Sequence, residues 1–336
     1  TTSSTTATSS TTATSSSSET SASGSGTTAK SSASAAAPVK LANSPTVFAQ
    51  LIAQKRQDSI ARYQDALTIL NKNPNAADLK TCEKGGDEVC IPDLRKIKLP
   101  LPRVGGEIKR KVAYLIGNND YKDGVPKLET PINDVTEIAQ VLERQYGYQV
   151  QVLKNATRRE LVSTLRKLTE SKEQDESVML FYAGHGYQSE DNGMGFWIPT
   201  DGSPQDPSNW LSNSDISKFL AAIPAKQVML VSDSCFSGTL AKEQDLSADK
   251  KLSREEILGR RTVAVMSSGG EEPVSDEGKD GHSIFAWNFI KQLQQGSGNA
   301  VGSQFFEKVK QAVQTEYPQH PRYGASVQAG HMQGGD

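Results

Sequence analysis

Two short segments carry side chains that can support nucleophilic chemistry. His185 lies in Tyr182-Ala-Gly-His-Gly186, and Cys235 lies in Asp233-Ser-Cys-Phe-Ser-Gly238. Each segment follows an apolar run typical of a buried strand, and each is rich in small residues. Because the carboxyl ends of parallel strands meet at one edge of a sheet, this pattern predicts that the imidazole and the thiol face each other there.

A thiol beside an imidazole is a nucleophile with its own base. The imidazole can accept the thiol proton or stabilise the thiolate. When the sulfur attacks a carbonyl, the developing oxyanion needs hydrogen-bond donors, and the backbone N–H groups of Gly186 and Cys235 are the candidates. A lone Cys at a strand end is usually a small apolar residue. The pair in matching contexts, however, predicts a catalytic dyad of His185 and Cys235.

The elements that position the pair alternate between strands and helices. Apolar runs predict strands, and helical spacing of apolar residues predicts the segments between them. The predicted strands are 112–116, 148–152, 177–183, 227–231 and 262–266, and the predicted helices are 132–146, 214–223, 284–293 and 305–313. Thr157-Arg-Arg-Glu160 is a capping box that opens a further helix. This alternation predicts an α/β fold with a parallel sheet.

The N-terminal part of the chain has a different composition. Residues 1–37 contain 25 Ser or Thr, and no aromatic residue precedes Phe48. Such a segment cannot bury enough apolar surface to offset its ordering entropy, so residues 1–43 are predicted to be a disordered tail. Residues 44–108 are predicted to form a helical extension and a linker, and residues 109–336 the main domain.

Bulk properties exclude some classes of partner. The net charge of −2 argues against a nucleic-acid partner recruited by electrostatics. No apolar run is long enough to span a bilayer. The Ser/Thr-rich tail favours an exported protein, periplasmic or at the cell surface, over a cytoplasmic one. Cys82 and Cys90 flank a polar turn and form either a disulfide or two unrelated thiols. No Cys or His residues have metal-site spacing, so no metal site is predicted.

At these motifs the chain resembles a known family. Tyr-Ala-Gly-His-Gly and Asp-Ser-Cys-x-Ser-Gly are similar to the two catalytic motifs of metacaspases and of their bacterial relatives, the orthocaspases. The resemblance covers residues 110–336 and includes the opening segment Leu115–Tyr121. It implies a caspase–haemoglobinase fold, with a six-stranded, mainly parallel sheet and helices on both faces. It also implies a cysteine endopeptidase that is a monomer, needs no cofactor for its chemistry and takes calcium as a possible activator.

The resemblance also implies which peptide bonds are cut. Metacaspases cleave after Arg or Lys, and Asp233 occupies the position of their pocket acid. An aspartate there would pair with a basic P1 side chain, and it would disfavour a nearby thiolate rather than activate it. A second pocket acid is expected after the fifth strand, with Glu271 the first choice and Asp276 the second. The alternative for these two is a solvated acidic loop.

The segment after Cys235 is long and charged. Its basic residues are Lys242, Lys250, Lys251, Arg254, Arg260 and Arg261. A protease specific for Arg or Lys, with such a loop beside its nucleophile, is predicted to cleave itself within residues 240–261. The alternative is a solvated loop with no regulatory meaning.

Two other functions compete with a protease for basic residues. The domain could be a catalytically silent caspase-like scaffold that its Ser/Thr-rich tail tethers to a partner. It could also be a thiol hydrolase on the same fold that prefers Asn or Asp. Substrate profiling separates these alternatives from the main prediction, in which the partners are proteins or peptides with Arg or Lys at P1.

Overall fold

The computed structural model describes most of the chain beyond the predicted tail. The described residues are 45–83, 86, 89–97, 107–171, 174–189, 191–235, 240, 259–269, 278–296, 301–326, 328–332 and 335–336. The tail predicted for residues 1–43 lies outside them.

Helices and strands alternate along the described residues as the apolar patterns predict. The strands are β1 (Arg110–Gly117), β2 (Gln149–Lys154), β3 (Glu176–Ala183), β4 (Gly186–Gln188), β5 (Gly195–Trp197), β6 (Leu211–Ser212), β7 (Gln227–Asp233), β8 (Thr262–Ser267) and β9 (Arg322–Ala325). The α-helices are α1 (Pro45–Arg62), α2 (Gln64–Lys72), α3 (Pro131–Tyr146), α4 (Arg158–Thr169), α5 (Asn213–Ala222), α6 (Ile284–Gln295) and α7 (Gly302–Glu316).

A six-stranded sheet forms the centre of the molecule. Its strand order is β2-β1-β3-β7-β8-β9. The first five strands are parallel to their neighbours, and β9 runs antiparallel to β8. The predicted six-stranded, mainly parallel sheet is therefore confirmed. A small antiparallel sheet of β4, β5 and β6 lies just beyond the end of β3, and its first two strands form a hairpin.

Both faces of the large sheet are covered by helices. Side chains alternate along a strand between the two faces, so Tyr182 and Phe181 of β3 belong to different cores. The core that contains Tyr182 includes apolar residues of α4 and α5. The core that contains Phe181 includes apolar residues of α3, α6 and α7. Burial on both faces explains why these strands are continuous apolar runs.

Local signals define several helix boundaries. The predicted capping box opens α4, because the Thr157 side chain accepts from the Glu160 N–H while the Glu160 carboxylate accepts from the Thr157 N–H. Gly147 ends α3 in the left-handed region, with φ of 69°. Ser283 begins α6 as its N-cap and accepts from the Ala286 N–H.

The N-terminal extension packs against the domain. Tyr63, Ala66 and Leu70 share a buried cluster with Tyr187 and Trp210, which come from the region of the small sheet. The segment that follows α2, predicted as a linker, is also attached. Its Leu79 N–H donates to a carboxylate oxygen of Asp215 at 2.7 Å.

Cys82 and Cys90 form a disulfide, which confirms one of the two alternatives for this pair.

Among the described residues no helix combines the length and the apolar character that crossing a lipid bilayer requires.

Candidate active site

The pairing of β3 with β7 brings the two predicted reactive residues to one place. Ala183 is the partner of Asp233 in the parallel register, and the Gly184 N–H donates to the Asp233 carbonyl at 3.2 Å. His185 and Cys235 each follow two residues after this paired position. Both line a cavity of about 460 Å³ at the carboxyl edge of the sheet. The structure therefore brings together the pair that the sequence singled out.

The imidazole of His185 is oriented by a backbone carbonyl. Its Nε2 lies 2.8 Å from the carbonyl oxygen of Pro126. A carbonyl oxygen only accepts, so Nε2 carries a proton in this contact. In a neutral imidazole the lone pair is then on Nδ1, which is the nitrogen available to accept a proton.

Cys235 carries the thiol of the cavity. It is half-buried and is not part of a disulfide. Gly186 lies directly against it, since a Cβ at Gly186 would overlap the Cys235 carbonyl oxygen and crowd the Ser234 side chain. Only glycine allows this approach without a shift of the backbone. The two residues predicted to donate to an oxyanion are therefore neighbours.

Asp233 lines the same cavity and is almost completely buried. One of its carboxylate oxygens accepts from the Ser283 hydroxyl at 2.6 Å. Ser283 is the N-cap of α6, so the start of this helix holds the acid that the sequence assigned to the P1 pocket.

A second buried acid in the cavity is Asp134, which the sequence argument missed. It lies in the first turn of α3 and is completely buried. One of its carboxylate oxygens lies 2.7 Å from Nδ1 of His282, whose Nε2 lies 3.0 Å from a carboxylate oxygen of Glu137. Since α3 follows β1, its first turn lies at the carboxyl edge of the sheet. Asp134 could therefore have been predicted from its position in the first turn of the helix that follows the first strand.

The surroundings of His282 favour its charged form. Both of its ring nitrogens face carboxylate oxygens, which accept hydrogen bonds from protonated nitrogens. The hydrogen bond to Asp134, with the charges of Asp134 and Glu137, raises the pKa of His282 above its ordinary value, although burial opposes the shift.

Helix α1 forms one wall of the cavity. Its contribution is polar and charged, and the residues are Lys55, Asp58, Ser59 and Arg62. Tyr63, which follows α1, lines the cavity as well, and burial raises the pKa of its hydroxyl. Sequence reasoning found the helix but had no signal for which surface of the domain it covers.

The remaining predicted residues fall into two groups. Glu271, Asp276, Lys242, Lys250, Lys251 and Arg254 lie outside the described residues. Arg260 is partly exposed, whereas Arg261 is buried.

The Arg261 guanidinium donates to the carbonyls of Leu220, Ala225 and Ala329. Burial lowers its pKa to about 10. A side chain held inside the domain cannot enter a protease pocket, so this conformation does not favour cleavage after Arg261.

Within the described part of the chain, no group of three or more His, Cys, Asp and Glu side chains is arranged to hold a metal ion. The chemistry available at this edge of the sheet is that of a thiol, an imidazole and buried carboxylates. These groups support acyl transfer through sulfur.

Comparison with known proteins gives a family match. The family model of the caspase domain matches residues 110–329. A protein from Geobacter sulfurreducens of known structure shares 18% identity, with a TM-score of 0.49, over 65% of this chain and 93% of its own. Caspase-1 from Spodoptera frugiperda shares 12% identity, with a TM-score of 0.49, over 68% of this chain and 92% of its own. No curated protein sequence matches.

The family match begins with β1 and extends past β9, so it includes both strands that carry the candidate dyad. The chain belongs to the caspase-domain family of cysteine peptidases.

Proposed function

We propose that the protein is a cysteine endopeptidase that cleaves after Arg or Lys through a dyad of His185 and Cys235. One observation carries the proposal. The two residues follow neighbouring parallel strands at equivalent positions and line the same cavity, with Nε2 of His185 committed to the Pro126 carbonyl.

The dyad would act in two stages. Nδ1 of His185 takes the proton of the Cys235 thiol, and the sulfur attacks the carbonyl carbon of the scissile bond. The leaving amine takes a proton from the imidazolium as the C–N bond breaks, which leaves an acyl-enzyme. Water then attacks the thioester, His185 removes a proton from it, and the carboxylic acid leaves as the thiol is restored.

The backbone would stabilise the charge that develops on the substrate oxygen. The N–H groups of Gly186 and Cys235 remain our candidates for donors. Support comes from their adjacency, which the absence of a side chain at Gly186 allows. Donors of this type lower the barrier by about 2.7–4 kcal/mol each in known enzymes.

Two buried acids support the choice of a basic P1 residue. Asp233 and Asp134 both line the cavity that contains the dyad. A guanidinium or ammonium group that enters beside Asp233 gains a charge-assisted hydrogen bond in a poorly solvated site, whereas the charge of Asp134 is already paired with His282. An Asp side chain at P1 would meet like charge there. This asymmetry favours Arg or Lys over Asp.

The regulatory part of the proposal is self-cleavage within residues 240–261, in the segment that follows Cys235. Of the predicted sites, Arg260 is described and partly exposed, directly before β8. We keep Arg260 and the basic residues of 242–254 as candidates and omit Arg261 because it is buried. Purified Cys235→Ala protein should remain intact where the wild type is cut. The same fragments in both preparations would refute self-cleavage.

Matched fluorogenic peptides that differ only at P1 test the activity itself. Arg and Lys peptides should be hydrolysed, and Asp and Asn peptides should not. Preference for Asn or Asp would indicate the other thiol hydrolase. No turnover of any peptide, with and without calcium, would favour the silent scaffold. Comparing the rates of hydrolysis with and without calcium also shows whether calcium activates the protein.

A further inference from the structure

The backbone of His185 is held by the hydroxyls of two buried tyrosines. The His185 N–H donates to the Tyr121 hydroxyl at 2.7 Å. The His185 carbonyl accepts from the Tyr182 hydroxyl at 2.9 Å, and the same hydroxyl lies 3.0 Å from the Ile198 carbonyl. Neither tyrosine is accessible to bulk water, with exposures of 6% for Tyr121 and 0% for Tyr182.

Gly184 allows the two hydroxyls to converge. A Cβ at this position would lie 2.5 Å from the Tyr121 hydroxyl and 2.9 Å from the Tyr182 hydroxyl. Both distances are shorter than contacts that real Cβ atoms make. The glycine before His185 is therefore explained by the space that the two tyrosines occupy, and not by a positive φ.

Tyr121 also contacts the imidazole ring. The ring centroids of Tyr121 and His185 lie 4.7 Å apart, with an interplanar angle of 59°. An aromatic ring at this distance packs against the imidazole and limits its movement. Tyr121 thus contacts both the backbone and the side chain of the same residue.

The loop that carries Tyr121 also carries the acceptor for Nε2. This loop follows β1, and its Pro126 carbonyl is the partner of the imidazole. The loop is fixed at several points. The Asn118 N–H donates to the Ala183 carbonyl at 3.0 Å, and the Lys122 N–H donates to the Thr200 carbonyl at 3.1 Å. One hydrogen-bonded segment therefore contacts both the backbone and the Nε2 atom of His185.

We propose that Tyr121 is a positioning residue for His185, with Tyr182 as its counterpart on the carbonyl side. Its hydroxyl fixes the peptide plane of His185 while its ring supports the imidazole, so that Nδ1 stays available to the Cys235 thiol. This inference rests on the proposed dyad. It gives a role to the end of the Leu115–Tyr121 segment, which the dyad and the P1 pocket leave without one.

Tyr121→Phe isolates the hydroxyl, because it keeps the ring. Tyr146→Phe is the matched control, since the Tyr146 hydroxyl donates to the Leu293 carbonyl at 2.6 Å away from the dyad. Two readouts are measured for each variant. They are the pH dependence of Cys235 alkylation by iodoacetamide, and kcat and KM for a P1-Arg peptide. With Cys82 and Cys90 in a disulfide, alkylation reports on Cys235.

We expect Tyr121→Phe to lower kcat about tenfold and to leave KM within about twofold, because positioning acts on the chemical step. The midpoint pH of alkylation should rise, since a loosely held imidazole stabilises the thiolate less. Tyr146→Phe should change neither readout. Tyr182→Phe should resemble Tyr121→Phe and serves as the second variant if Tyr121→Phe does not fold.

Two results would contradict the proposal, one at the positioning role of Tyr121 and the other at the dyad itself. A lowered alkylation midpoint in the wild type, unchanged in Tyr121→Phe and Tyr182→Phe, would overturn the positioning role and leave the dyad intact. A kcat of His185→Ala equal to that of the wild type would overturn the dyad itself and the positioning role with it.

Discussion

At the scale of single residues, the buried acids beside Cys235 carry the proposed preference for Arg or Lys at P1. Asp233 and Asp134 come from different elements, β7 and α3, and both reach the cavity. Each has a dedicated hydrogen-bond donor at the start of α6, Ser283 for Asp233 and His282 for Asp134. Each of the two carboxylates that line the cavity is thus held by a hydrogen bond from a residue at the start of α6.

Asp233→Asn tests the P1 pocket directly. The change removes one negative charge and keeps the shape of the side chain. We expect kcat/KM for a P1-Arg peptide to fall about 100-fold, as for the loss of one partner in a buried charge pair. Asp175→Asn is the control, because Asp175 pairs with the exposed Lys109 on the surface. Equal activity of Asp233→Asn and wild type would contradict the pocket assignment.

The sequence predicted one of these acids and not the other. Asp233 was found because it stands two residues before the thiol. Asp134 was missed because the family resemblance implied a second acid after β8, at Glu271 or Asp276, which lie outside the described residues. Distance along the chain concealed the proximity, since Asp134 is far from both motifs in sequence. Only the parallel topology brings the first turn of α3 to the same sheet edge.

At the scale of elements, the turn before α6 connects the pocket to α3. His282 lies between Asp134 and Glu137 of α3, stacks against Trp287 of α6, and precedes the serine that holds Asp233. Lys291 lies over the Trp287 ring, and Lys279 of the same turn pairs with Glu316 of α7. The environment of the imidazole is therefore dominated by the two α3 carboxylates.

His282 should make stability depend on pH. The folded protein raises its pKa, so its contribution is fully present below the unfolded value, about 6.5, and is lost as pH rises through the folded value. We expect the melting temperature of wild type to exceed that of His282→Gln at about pH 6, with a difference that shrinks towards about pH 9. Exposed His320→Gln is the control. A difference independent of pH would contradict an imidazolium at this position.

Strands and helices with long apolar patterns were predictable, and short elements were not. The buried parallel strands and the amphipathic helices α3 to α7 were recognised from periodicity. The strand β9 was missed, because a segment of four residues that contains Gly324 has too little pattern to identify. It is also the one antiparallel strand of the large sheet as described, so strand–helix alternation does not predict it.

At the scale of the whole molecule, the N-terminal helices belong to the same compact unit as the sheet. The Tyr63 ring packs edge-on against Tyr187 and Trp210, with centroid distances of 5.4 and 5.8 Å. Side chains of α1 complete the cavity wall. The cavity beside Cys235 is therefore bounded on one side by the extension, which the sequence pattern had placed outside the main domain.

Tyr63→Ala should loosen this docking. Removing a buried aromatic side chain costs about 3–5 kcal/mol, and the loss should be concentrated in the contact between the extension and the small sheet. Hydrogen exchange should become faster in residues 45–72 and remain slow in β3 and β7. Tyr63→Phe keeps the ring and is the control. Uniformly faster exchange across the sheet would contradict a local docking role.

The central claim is that Cys235 is an activated nucleophile in a pocket for basic P1 residues. Labelling by peptide chloromethylketones that differ only at P1, followed by mass spectrometry of intact wild type, His185→Ala and Cys235→Ala protein, tests both parts at once. We predict rapid modification of wild type at Cys235 by the Arg reagent, little by the Asp reagent, slow labelling of His185→Ala and none of Cys235→Ala. Equal labelling by both reagents, or labelling of wild type at another residue, would contradict the claim.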